Sequence, residues 1–150
     1  MATQDRTSFN PSERFHKTRI AHRDETAEDY VEAIAQLIDE HGSARVGKLA
    51  MVMGVSHVTV TRIISRLAKE GLVSTEPRKP IHLTPSGEEM ASASRHRHEV
   101  VLGFLRALGI EERQAQIDAE GIEHHVSGET LRALEVLVER LSNPNGANPL

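Results

Sequence analysis

Cysteine is absent from all 150 residues. That excludes disulfides, thiolate metal sites, zinc knuckles and cysteine nucleophiles. Aromatic residues are scarce, with 3 Phe, 1 Tyr and no Trp, too few for a protein that stacks the bases of single strands on aromatic rings. No run is apolar enough to cross a bilayer. The opening MATQDRTSFN does not have the basic, apolar and small-residue blocks of a signal peptide. A cytoplasmic location without a membrane partner is therefore expected. Phosphate-cradling glycine loops and the G-x-S-x-G of serine hydrolases are also missing. His98-Glu99 opens an H-E-x-x-H zinc-protease motif, but Leu102 stands where the second histidine is needed. None of His98, His124 and His125 has a glutamate three residues before it, since Arg95, Gly121 and Ile122 stand there. That argues against a ferritin-like di-metal oxidase. The chain is expected not to be an enzyme and to take no small organic substrate.

The charge that is present is unevenly spread. The net charge of −4 conceals a basic middle. Residues 45–87 hold 7 basic side chains and 2 acidic ones, a net of +5, between an N-terminal stretch of −4 and a C-terminal stretch of −5. Such a segment suits an anionic partner. Taken alone, it is equally compatible with a fluctuation of surface charge.

The hydrophobic pattern is mainly helical. Residues 26–41 place Ala27, Tyr30, Val31, Ile34, Leu37 and Ile38 on one face, and Gly42 closes the run. Ser12-Glu13 resembles a cap and would carry this helix further back. VGKLAMVM (46–53) predicts a short helix, Gly54-Val55-Ser56 a turn with Ser56 as N-cap, and the stripe Val60, Ile63, Ile64, Leu67 a second helix stopped by Gly71. LVSTEPRKPIHLT (72–84) reads as a short hairpin. Thr84-Pro85 opens a long helix to about Leu108, ended by Gly109. A helix over Glu111–His125 and a last one over Leu131–Leu141, capped by Ser127, complete the order. The fold class is mainly α: a winged helix-turn-helix domain at 12–87, then an all-helical domain at 88–141. The Pro-, Gly- and Asn-rich ends 1–11 and 142–150 read as disordered tails.

Residues 46–65 fit a helix-turn-helix. Ala50 is small where two helices cross, and Gly54 stands where the turn needs positive φ. An ordinary αα-hairpin would need the same features; the basic charge and the following hairpin favour DNA. Ser56, His57, Val58, Thr59, Thr61, Arg62 and Arg66 form the candidate reading surface, with Arg78 and Lys79 at the wing tip. A single module binds weakly, so a homodimer on a palindromic double-stranded operator is expected. The stripes Val101, Leu105, Leu108 and Leu131, Leu134, Val138, Leu141 could serve that dimer or the monomer core.

The run AEGIEHHVS (119–127) concentrates carboxylates and imidazoles. On a helix advancing about 100° per residue, Glu120, Glu123 and His124 share one face and His125 points away. Two carboxylates and an imidazole suit a borderline-hard divalent cation, although a solvated polar face explains a lone E-x-x-E-H better. His98, unlike His96, shares a face with Val101 and Leu105, a placement that more often means a core histidine than a ligand. Asp29 and Glu32 fall opposite the apolar stripe of their helix, where periodicity alone calls them solvent-exposed.

Together, EDYVEAI (28–34), the winged-helix features at 46–83, RHEVV (97–101) and AEGIEHHVS resemble the metal-dependent repressors of the diphtheria-toxin-repressor type and, among them, the manganese transport regulators. The resemblance spans roughly residues 12–141. It implies a homodimer in which divalent metal binds where the DNA-binding and dimerisation parts meet. The ligands it implies are Asp29, Glu32, His98, Glu120, Glu123 and His124, forming two neighbouring sites, with His125 excluded. Iron-sensing relatives carry cysteine where this chain has Glu123, so the resemblance implies Mn(II), two ions per subunit, with Fe(II) as the alternative. It implies repression of manganese uptake. A metal-independent winged-helix regulator and, behind it, a metal-dependent enzyme are the rival readings. The chain leaves no room for the C-terminal SH3-like domain of the larger iron-type relatives, and the resemblance gives residues 1–25 no role.

Overall fold

The computed structural model of the chain describes residues 11–143, and for residues 11 and 13–23 the course of the helix alone. Helix α1 runs Pro11–His41, α2 Val46–Met53 and α3 His57–Lys69. Strands β1 (Val73–Ser74) and β2 (His82–Leu83) form an antiparallel wing that pairs Val73 with Leu83. Helices α4 (Pro85–Ala107), α5 (Glu112–Ile122) and α6 (Gly128–Ser142) follow, with a 3-10 turn at Glu123–His125 between α5 and α6.

Local chemistry sets these boundaries. Gly54 closes α2 at φ 66°, the left-handed region that glycine enters without steric cost. Ser56 then caps α3, its Oγ accepting from the Thr59 amide at 3.2 Å. Thr84 caps α4 by accepting from the Gly87 amide, and its hydroxyl donates to the Gly71 carbonyl at 2.6 Å. That one side chain ties the start of α4 to the end of α3. The wing gains a third contact where Ile81 donates to the Ala44 carbonyl at 2.7 Å.

Two cores result. The larger joins α1 (Tyr30, Val31, Ile34, Leu37), α2 (Leu49, Ala50), α3 (Val60, Ile64, Leu67), the wing (Val73, Ile81) and Ala91 of α4. The smaller joins Val101, Leu102 and Leu105 of α4 to Ala115 and Ala119 of α5, with Leu131 and Leu134 of α6 packed on it. Helix α4 thus belongs to both cores and is the spine between them. At its start, Gly87 is pressed against the Leu72 backbone, where a Cβ would lie 2.0 Å from the carbonyl oxygen. Gly87→Ala is therefore expected to destabilise the metal-free chain by about 1–3 kcal/mol, the usual cost of overpacking, read as a lower urea midpoint. An unchanged midpoint would mean that the α3–α4 junction yields.

Several sequence-based boundaries shift. The first helix does reach back beyond 26–41, as the cap-like Ser12-Glu13 allowed, and starts at Pro11, so that residue is no part of a disordered tail; Ser142 likewise ends α6. The remaining tail expectations, for 1–10 and 144–150, fall outside the described residues. The helix expected over Glu111–His125 stops at Ile122 and tightens into the 3-10 turn. The two apolar stripes are divided: Val101 and Leu105 are buried, while Leu108 and Leu141 are exposed. No helix among the described residues is long and apolar enough to cross a membrane.

Candidate metal centre and nucleic-acid interface

The 3-10 turn explains how adjacent side chains reach different partners. At three residues per turn, Glu123, His124 and His125 leave the backbone about 120° apart. Glu123 turns inward and is 1% exposed. Its Oε2 lies 2.6 Å from Nδ1 of His98 on α4, and its Oε1 lies 3.4 Å from Nε2 of His124. The His124 side chain, 2% exposed, turns to α1, where Nε2 is 3.0 Å from Asp29 Oδ1 and Nδ1 is 2.7 Å from Glu28 Oε2. Glu120, on the last turn of α5, approaches His98 at 3.5 Å. The single shared face expected for Glu120, Glu123 and His124 is thus replaced by two clusters with Glu123 between them. Glu32 accepts from the buried Ser94 hydroxyl of α4 at 3.0 Å and lines one open cleft with Asp29, Gln36, Val52, Met53 and Glu120.

Five of the six candidate ligands thus fall into two donor clusters contributed by α1, α4, α5 and the 3-10 turn, while Glu32 joins neither and shares only the cleft with Asp29 and Glu120. Asp29 and Glu32 are partly buried there, rather than solvent-exposed as periodicity suggested. Two groups were not selected from sequence. Glu25 joins Asp29 and His124 in a cluster whose donor atoms lie within 4.8 Å of one another, as do those of His98, Glu120 and Glu123. His125, set aside as pointing away, lies 3.5 Å from Glu25. Glu28 bonds to His124 and pairs with Arg97 of α4 at 2.6 Å. A signal for both was present: Glu25, Glu28, Asp29 and Glu32 stand at i, i+3, i+4 and i+7, one acidic stripe along α1.

The electrostatics fit a cation. Burial pushes the Glu123 carboxyl up to about 7; Glu120 adds to the rise, and His98 and His124 oppose it. Hydrogen bonds to Asp29, then Glu28, raise His124 to about 10. Burial acts against the Glu28 charge, but the bonds from His124 and Arg97 outweigh it and hold that carboxyl below the usual range. A protonated imidazole thus supplies positive charge among these carboxylates. Bonds of about 2.0–2.6 Å to a divalent cation place donor atoms on one ion roughly 3–5 Å apart, the spread of both clusters. With oxygen and nitrogen donors and no sulfur, the set suits a divalent cation of the harder or borderline kind.

The candidate nucleic-acid interface is the exposed face of α3. Val58, Thr61, Arg62 and Ser65 are exposed at i, i+3, i+4 and i+7 on α3, and Val58 is 79% exposed. Thr61 donates its hydroxyl to the His57 carbonyl at 2.9 Å, which leaves its methyl as the outward group. The first turn of α3 carries no acidic residue, so its N-terminus is compatible with phosphate. Among the remaining candidates, Ser56 is occupied as the cap and bonds Thr59 as well. Arg66 pairs with Glu70 at 3.6 Å, and Lys79 pairs with Glu76. Arg78 adopts φ 64° at the wing tip, and its carbonyl accepts from Arg45 at 3.3 Å.

A winged helix fastened through one long helix to a helical unit, with carboxylates and imidazoles at the joint, defines a class of metal-linked DNA-binding proteins. The family described as "Iron dependent repressor, N-terminal DNA binding domain" matches residues 24–81, and its "metal binding and dimerisation domain" matches residues 84–148. The chain belongs to this iron-dependent repressor family. It is 48% identical over 121 residues to the transcriptional regulator MntR of Salmonella typhimurium, covering 81% of this chain and 77% of that protein. It is 45% identical over 128 residues to MntR of Escherichia coli O157:H7, covering 85% and 83%. Among solved structures, a manganese-dependent transcriptional repressor in complex with manganese superposes with TM-score 0.69 at 30% identity, covering 75% of this chain and 52% of that one. The manganese regulator SloR gives TM-score 0.67 at 25% identity, covering 75% and 53%. The chain spans about half the length of these two solved proteins.

Proposed function

We propose that the chain is a manganese-responsive, DNA-binding transcriptional regulator that represses manganese-uptake genes when Mn(II) is bound. The observation that carries this reading is the bridge at His124. Its imidazole comes from the helical unit and meets Asp29 and Glu28 of α1, the helix that packs α2 and α3 on its apolar face. Asp29, Glu32, His98, Glu120, Glu123 and His124 would hold the metal, two ions per subunit, with Glu123 shared. A bound divalent cation supplies the positive charge that lets these carboxylates crowd together. Asp29 and Glu32 are then held against α4 and α5, and α1 carries the reading helix with it. In a homodimer this fixes the two α3 helices for successive major grooves of a palindrome, about 34 Å apart. The apolar, exposed Ile117 and Ile122 of α5 suit the contact between subunits.

The expected result is binding to the chain's own palindromic operator that is at least about 100-fold tighter with Mn(II) than with chelator, the span of a strong allosteric coupling. An electrophoretic shift titration together with metal analysis checks it. Equal affinity in both conditions would leave a metal-independent winged-helix regulator. A parallel Fe(II) titration distinguishes the iron-responsive alternative, since carboxylates and imidazoles accept that ion too.

A further inference from the structure

Glu28 lies beside the candidate ligands but belongs to neither donor cluster. Its carboxylate spans two helices. Oε1 pairs with Arg97 Nη2 of α4 at 2.6 Å, and Oε2 meets Nδ1 of His124 at 2.7 Å. The Glu28 side chain is 14% exposed. A carboxylate paired with a guanidinium accepts hydrogen bonds, so the proton between Glu28 and His124 sits on Nδ1. The His124 imidazolium of the metal-free chain must give up one proton to become a ligand, and the neutral imidazole then has one N–H and one lone pair. With Nδ1 protonated, the lone pair is on Nε2, the nitrogen that faces Asp29 at 3.0 Å and Glu123 at 3.4 Å. His98 is turned the other way, its Nδ1 being 2.6 Å from Glu123.

We propose that Glu28, clamped by Arg97, is a positioning residue that commits His124 to offering Nε2, while His98 offers Nδ1, so that the two imidazoles serve the metal centre through opposite nitrogens. The proposal rests on the metal-dependent reading of the site. The clamp also keeps Glu28 itself from the ion, because the guanidinium on its other oxygen already satisfies it and repels a second cation. Carboxylate partners of this kind fix the tautomer and orientation of ligating histidines.

Nitrogen-15 histidine spectra of the Cd(II)-loaded full chain test this, since two-bond couplings show which ring nitrogen carries the proton. The expected result is a proton on Nδ1 of His124 and on Nε2 of His98. Chelator-competition titrations with Mn(II) should show Glu28→Ala binding about 10–100-fold more weakly than wild type, as for other outer partners of metal ligands. Glu28→Gln, which still accepts from Nδ1, should recover part of that loss, and Arg97→Gln should weaken binding as well. A His124 that coordinates through Nδ1 in the wild type overturns the proposal, as does a Glu28→Ala affinity within about twofold of wild type. If Glu28→Ala does not fold, the wild-type spectrum and Arg97→Gln decide. A wild-type chain that binds neither Mn(II) nor Cd(II) would instead refute the metal-dependent reading itself.

Discussion

Glu123→Gln is expected to remove the metal response while leaving the metal-free fold in place. The side chain is 1% exposed and lies between His98 and His124, so it is the one group able to serve both clusters. Glutamine keeps the volume, so no cavity opens, but it offers a neutral and poorer donor. Outer partners of metal ligands are worth about 10–100-fold in affinity. A bridging carboxylate should exceed that, so a loss of more than about 100-fold in Mn(II) affinity is expected, together with operator binding that no longer responds to the metal. Metal titration and the shift assay check both. Retention of wild-type affinity would remove Glu123 from the ligand set.

The same variant has a signature in the metal-free state. The folded chain holds the Glu123 carboxyl at about 7 against an ordinary 4.5, so folding favours its protonated form. This contribution to stability is complete below about pH 4.5 and is lost as pH rises through about 7. His124, raised from 6.5 to about 10, behaves in the same sense. Its contribution is complete below about 6.5 and is lost through about 10. The metal-free wild type should therefore lose stability steadily from the mildly acidic range upward. Glu123→Gln should be flatter between about pH 4.5 and 7 in urea unfolding series. Identical slopes for variant and wild type would show that folding does not raise the Glu123 carboxyl above its ordinary range.

The sequence was most legible where one residue governs one local conformation. Gly54 and Ser56 predicted the turn and the cap of α3, and both are found as expected. Thr84-Pro85 did the same for α4. It was less legible where tertiary contact overrides helical phase. A uniform helix over Glu111–His125 already sets Glu123 and His124 about 100° apart, and the 3-10 turn widens this to about 120°; that one meets α4 and the other α1 is set by tertiary packing, which helical phase does not show. Asp29 and Glu32 lie opposite the apolar stripe of α1, and periodicity cannot reveal that Ser94, Glu120 and His124 close over that side. The resemblance to known repressors singled out Asp29 and Glu32 as candidate ligands where hydrophobic pattern could not. It did not place Glu25 or Glu28, although the acidic i, i+3, i+4, i+7 stripe was readable before any fold was known.

Arg62→Ala should produce the second large loss, on the DNA side alone. Arg62 is exposed on the face of α3 that also presents Val58 and Thr61, and among the described residues it has no ion-pair partner. Arg66 and Lys79 have acidic neighbours, which weakens their claim on phosphate. An arginine can bond a guanine edge bidentately, while the outward Val58 and the Thr61 methyl suit thymine methyl groups. One such base contact is worth about 1–3 kcal/mol. A homodimer forfeits it twice, so operator affinity should fall at least about 30-fold at fixed salt. Mn(II) affinity should stay at the wild-type value, because Arg62 lies on α3 and none of the candidate ligands does. The variant should lose discrimination at one base pair in each half-site, while its weak binding to unrelated DNA changes little. A uniform loss on all sequences, with a shallower salt dependence, would instead make Arg62 a phosphate contact. An unchanged operator affinity would mean that α3 does not read the groove through this face.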